Sequence, residues 1–387
     1  MSAVSALFLA GCGANSDHQA AQSPVSVADA AAGTPIAISV KPNTGAKDAK
    51  PDTVVTVTTN GGKLTEVRVQ DSDGHDLPGE LSADATRWSA TAPVRVDSDY
   101  TVDAWAVGPD GAQIEKTSSF ATRHVRRSGT LQVAGIAPRD GATVGVAQPI
   151  VVAFAGPVSN RKLVQAALQV ATTPHVEGGW YWVDDSHVHY RPQAFWPAGT
   201  RVRLDVRLSG ISAGNGMIGG KNLTSSFVVG RNQVIHVDTR THRLTVDRDG
   251  HTVKSFDAST GKPGWETRDG TEVMIDRVRH KHWTNTAIGA EKHFSLYSKY
   301  AIRITNSGEF LHDAPWDNGG EGDANTSHGC VALKTGDMKW IWDNSLLGDP
   351  VIVTGTSRHH QDQTNTYDDW NISWQTWSRA QSGFTDR

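Results

Sequence analysis

Two cysteines stand in the 387 residues, and one of them, Cys330, lies in the stretch richest in reactive side chains. That stretch reads Ser307-Gly308-Glu309-Phe310-Leu311-His312-Asp313-Ala314-Pro315-Trp316, then Asn325-Thr326-Ser327-His328-Gly329-Cys330-Val331. A thiol acts as a nucleophile once an imidazole takes its proton or pairs with it, so a Cys near a His is the minimum set for acyl transfer. Gly329, just before the cysteine, lets backbone N–H groups crowd the reacting atom, as an oxyanion hole requires. Spacing alone leaves the same Cys and two His open to metal ligation or to chance. Two His-x-His pairs, His187/His189 and His280/His282, would each share a strand face and can bind zinc. They lack Cys or carboxylate partners at ligand spacing and are read as surface residues. No metal or cofactor is expected.

The elements that must hold these groups read as mainly β. From Thr34, short β-branched runs such as Thr53-Val54-Val55-Thr56-Val57-Thr58 alternate with turns such as Asn60-Gly61-Gly62. Strands of this length and spacing predict a sandwich over 34–122, immunoglobulin-like in architecture only, since it holds no cysteine. Arg123 to Arg127 is read as a solvated basic connector. A second sandwich is predicted over 128–230, with a short helix from Lys162 to Leu168 and the hairpin Gly179-Trp182/His187-Tyr190. A third β-rich unit spans 231–355, with a hairpin around Asp249-Gly250 and one helix from Thr335 to Asn344. In the tail, 356–387, spacings of four and three would put Trp370, Trp374 and Trp377 on one helical face that docks the tail onto the body.

A net charge of −4, from 37 basic and 41 acidic residues, gives no footprint for nucleic acid. Hydrophobic residues at 37%, with 13 tryptophans, exclude wholesale disorder. No apolar run reaches the ~18 residues of a spanning helix. The run Ala6-Leu7-Phe8-Leu9-Ala10-Gly11-Cys12 resembles the lipobox of bacterial lipoprotein signals, which implies a signal over 1–12 and a diacylglycerol on Cys12. No Lys or Arg precedes that run, so the chain start is open to truncation. Residues 13–33, poor in large apolar side chains, read as a disordered tether.

His312 followed after 18 positions (330 − 312) by the cysteine of Ser327-His328-Gly329-Cys330 resembles the motif of the bacterial L,D-transpeptidases of peptidoglycan. Ala314-Pro315-Trp316 and Asn325-Thr326 agree with it. Two immunoglobulin-like units, a lipobox and a tail with Asp369-Trp370-Asn371-Ile372 look like the actinobacterial members. The resemblance implies that the Cys330 thiolate attacks the carbonyl of the third stem residue, usually meso-diaminopimelate, and releases a terminal D-alanine. His312 would be the base, and the N–H groups of Gly329 and Cys330 the oxyanion donors. The amine of a neighbouring stem would then take the acyl group, giving a 3→3 cross-link. Ser307 and Gly308, on the strand leading to His312, and Phe294, within the lid segment Trp283 to Tyr300, would line the donor stem. His328 would order the cysteine loop.

Asp313 stands where the family commonly has Ser, and Ala332 where Asn is frequent. Asp313 next to His312 invites a Cys-His-Asp triad. Alternation along a strand predicts instead that its carboxylate faces away, with its main-chain carbonyl orienting the ring. The implied partners are donor and acceptor stems in the wall, with a lipid anchor on the outer face of the cell membrane and carbapenems as acylating inhibitors. Oligomeric state is open. The competing readings are an L,D-carboxypeptidase that uses water as acceptor and a wall-binding lipoprotein with a silent site.

Overall fold

Alternating burial builds the first sandwich. In the strand Asp99–Val107, Tyr100, Val102, Ala104 and Ala106 point inward while their neighbours face out. This strand lies between Lys63–Asp71 and Gln113–Ala121. The facing sheet orders Ala37–Lys41, Thr56–Asn60, Arg87–Ala90 and Gly79–Leu81. Val55, Val57 and Trp88 belong to the core between them. The computed structural model describes residues 35–288, 293–317, 320–359 and 367–379, so Cys12, the signal over 1–12 and the tether lie outside the described residues.

The second sandwich faces the sheet of Ala142–Val144, Leu223–Val229, Arg201–Val206 and Leu168–Thr173 against that of Gly178–Trp182, His187–Pro192, Ile150–Phe154 and Val133–Ala137. Trp196, Leu204 and Leu208 fill its core. Its helix runs Arg161–Ala166, capped by Asn160, and ends before the predicted Leu168 because that residue opens a strand. The basic connector is solvent-exposed and makes contacts with acidic side chains at its surface. Arg123 binds Asp48, and His124 and Arg127 both reach Asp97.

The third unit stacks two sheets. One orders His251–Asp257, Arg243–Arg248, Gln233–Asp238, Pro350–Thr354 and Gly270–Val273. The other orders Asp276–Thr284, Ser295–Arg303, Phe310–Asp313 and Val331–Leu333. Ile235, Val237, Ile302, Leu311 and Val331 form the core between them. The helix Thr335–Asn344 has the predicted limits and buries Met338 and Ile341 in that core.

The tail spans a seam. Asn371 pairs its amide with both backbone groups of Thr271 at the edge of the third unit, at 2.8 and 3.1 Å. Its aromatic side chains dock on the second sandwich. The indole N–H groups of Trp370 and Trp377 donate to Ala147 O at 2.8 Å and Gly179 O at 2.7 Å. The helix holds only Trp374–Arg379, and Trp370 sits in the preceding 3-10 turn Asp369–Asn371, so the three rings do not share one helical face. They converge instead on Arg191, whose guanidinium carbon lies 4.7, 5.4 and 4.5 Å from the centroids of Trp370, Trp374 and Trp377. His189 is not a surface residue. It is fully buried, with Nδ1 2.8 Å from Asp369 Oδ1, because the tail covers its strand.

Candidate active site

Strand alternation decides which reactive side chains meet. Phe310–Asp313 and Val331–Leu333 run parallel, with Leu311 opposite Val331 and His312 opposite Ala332. Leu311, Val331 and Leu333 turn into the core. The other face presents Phe310, His312, Cys330 and Ala332 to a cleft of about 650 Å³. Ser307, Gly308, Phe294 and His328 line the same cleft. The expected strand through Ser307 and Gly308 begins only at Phe310. These two residues form the turn before it, with Gly308 at φ +110°, a conformation that favours glycine. Ser307 Oγ accepts from Arg268 Nη1 at 3.0 Å.

His312 is 6% exposed, and its Nδ1 lies 3.0 Å from the carbonyl oxygen of Asp313. A proton on Nδ1 donated there leaves the lone pair on Nε2. Asp313 is fully buried and turns its carboxylate the other way. Oδ1 accepts from Tyr300 N at 2.8 Å and Oδ2 from Thr335 Oγ1 at 3.1 Å. The Ser298 hydroxyl, 1% exposed, donates to the same Asp313 carbonyl at 2.5 Å and lies 3.3 Å from His312 Nδ1. It accepts from Trp283 Nε1 at 2.8 Å, and the Trp283 ring lies 4.9 Å from the His312 ring. Sequence reasoning missed both Ser298 and Trp283. Alternation from Ala301, which register pairs with His312, would put Ser298 on the opposite face, so the sequence carried no signal for it.

The Cys330 thiol points at Gly308 O, 3.9 Å away, and not at the imidazole. Burial pushes this thiol up to about 12, against the opposing pull of the Phe310 N–H and of the Lys281 and Arg303 charges. Burial also pushes His312 below its ordinary value. Both shifts favour the neutral forms of the two groups, a thiol and an imidazole. Ser327 Oγ donates to Cys330 O at 2.6 Å and accepts from Gly329 N at 3.2 Å. Gly329 N–H is thus engaged, while the Cys330 N–H has no acceptor among the described residues. His328 packs between Trp265 and Phe294, with ring centroids at 5.1 and 5.5 Å, and its Nε2 meets Lys262 Nζ at 3.0 Å. Burial first, and the Lys262 ammonium second, push its pKa down.

Among the described residues one cluster of His and carboxylates has the closeness of metal ligands, and it lies in the first sandwich. Asp71, Asp73 and His75 bring their ligand atoms within 4.8 Å of one another. Arg95 Nη1 already occupies that cluster, 2.6 Å from Asp71 Oδ2 and 2.7 Å from His75 Nδ1. His280 and His282 are exposed, as expected.

A parallel strand pair that brings a Cys and a buried His to one face, behind two sandwiches, defines a class. Residues 232–353 match the L,D-transpeptidase catalytic domain, and residues 46–212 match the bacterial Ig domain, reaching across both sandwiches. The chain belongs to the L,D-transpeptidase family. It is 33% identical over 347 residues to L,D-transpeptidase 5 of Mycobacterium tuberculosis, covering 88% of this chain and 76% of that protein. It is 32% identical over 337 residues to L,D-transpeptidase 2 of the same species, covering 86% and 82%. The solved LD transpeptidase LdtMt1, in complex with imipenem, superimposes with a TM-score of 0.50 at 32% identity, covering 57% of this chain and 98% of that one.

Proposed function

We propose that the chain is a peptidoglycan L,D-transpeptidase in which Cys330 is the nucleophile and His312 the base. The observation that carries this is the shared face of Phe310–Asp313 and Val331–Leu333, which sets the thiol and the imidazole in one cleft. The thiol proton passes to His312 Nε2 as sulfur attacks the carbonyl of the third stem residue. The oxyanion takes the free Cys330 N–H, and the Gly329 N–H once it leaves Ser327 Oγ. Collapse expels D-alanine, whose amine takes the proton back from His312. The stem amine of a neighbouring strand then repeats the sequence on the thioester and leaves a 3→3 cross-link. Phe294 and the Ser307-Gly308 turn support a role as donor walls, and His328, held by Lys262, supports one in ordering the cysteine loop.

Domain limits of 34–122, 128–230, 231–355 and a tail over 356–387 fit the three hydrophobic cores. A lipid on Cys12 and work in the wall outside the cell membrane complete the reading. Among the described residues no helix is long and apolar enough to cross a membrane. Incubation with a diaminopimelate-containing tetrapeptide tests it. Cross-linked dimer with released D-alanine is the expected product. Free tripeptide without dimer would make the chain an L,D-carboxypeptidase, and no turnover would leave a silent wall-binding protein.

A further inference from the structure

We propose that Lys281 and Arg303 form a receptor for a free carboxylate on the donor stem, so that the site selects anionic stems over amidated ones. This rests on the transpeptidase reading and adds what that reading leaves open. Arg303 lies opposite Phe310 in the sheet, and both cations line the cleft. The Arg303 guanidinium carbon is 4.6 Å from the Phe310 ring centroid. Lys281 Nζ is 5.5 Å from the same centroid and 5.3 Å from that of Trp283. Their charges reach the thiol and favour its ionisation, against the Glu309 carboxylate, which opposes it.

Among the described residues no carboxylate lies within ion-pair distance of Lys281 or Arg303. Arg303 has only long contacts to the carbonyls of Thr305 and Asn306, at 3.4 and 3.3 Å. The nearby acids are committed elsewhere. Glu309 Oε1 lies 3.2 Å from Arg268 and 3.8 Å from Arg358, and Asp317 accepts from Thr326 Oγ1 at 2.7 Å. Aromatic rings shield one side of each cation from water, which strengthens its pull on an anion arriving from the cleft. Diaminopimelate offers that anion. Its main-chain carboxyl forms the bond to be cleaved, and its second carboxyl remains free unless amidated.

Matched tetrapeptides, with a carboxylate or a carboxamide on the diaminopimelate side chain, test this. Acylation of the full chain by mass spectrometry, and calorimetric binding to Cys330→Ala, are the two readouts. The carboxylate stem should acylate at least tenfold faster and bind more tightly, with the gap narrowing at high salt. Lys281→Gln combined with Arg303→Gln should bring the ratio near one, while Lys281→Arg should keep it, melting temperatures verifying the fold of each. Equal rates and affinities in the unaltered protein, preference for the carboxamide, or a ratio retained by the double variant would overturn the proposal. A thioester from neither stem would instead sink the transpeptidase reading.

Discussion

At His312 the nitrogen that keeps its lone pair is decided by what the other nitrogen does. Nδ1 is tied to the Asp313 carbonyl, which any residue at that position supplies. Asp313→Asn should therefore slow carbapenem acylation by less than about tenfold, roughly 1.4 kcal/mol of barrier. His312→Ala should cost on the order of 10²–10⁴-fold. Equal losses would place the carboxylate in the machinery. Ser298→Ala removes one of two donors from that carbonyl and strands the Trp283 N–H. A slowing of about 5- to 30-fold is expected, corresponding to the ~1–2 kcal/mol of such a hydrogen bond. The pH profile follows from the shifts. A base held below its ordinary 6.5 is already unprotonated at neutral pH, and a thiol pushed up to about 12 stays protonated there. The acylation rate should rise with pH only below about 6.5 and stay level to about pH 9. A fall above pH 8 would mean a preformed thiolate–imidazolium pair. Cys330, His312 and the direction of Asp313 were legible because motif and alternation are local signals. Ser298 was not, because its partners are 14 and 15 positions away.

Among the elements, the tail is the one whose sequence hides its partner. Trp377 is fully buried, stacks on Tyr181 at 4.9 Å and donates to Gly179 O. Trp377→Ala should lower unfolding free energy by about 3–5 kcal/mol, read from the shift in urea midpoint at constant slope. A shift under 1 kcal/mol would mean that the tail leaves the sandwich readily. The tail docks as expected, but not through the one helical face that the ring spacing implied, and Arg191 at the centre of the cluster was hidden because a cation–π partner leaves no periodic trace. His189 was misread for a related reason. A polar residue with no partner nearby in sequence looks exposed, and its partner Asp369 is 180 positions away. The helix Thr335–Asn344 was read with its limits, since its packing signal is contained in ten residues.

Across the whole molecule, three cores divide the labour. The first sandwich closes its own core and contributes no residue to the cleft. Its visible backbone tie to the second is Val96 N to Gly210 O at 2.9 Å. Deleting 34–122 should leave acylation by soluble stems within about threefold, as expected for a neighbour with a separate core. A folded truncation that fails to acylate would show that this sandwich helps shape the site. The order of β units was legible from turn spacing, whereas the seams were not, because they rest on backbone pairs such as Gly145 N to Leu347 O. If one thiol does the chemistry, intact-protein mass spectrometry after exposure to a carbapenem reads it out. A single adduct is expected, mapped to Cys330 and absent from Cys330→Ala. An adduct that persists in Cys330→Ala, or none on the unaltered protein, would contradict it.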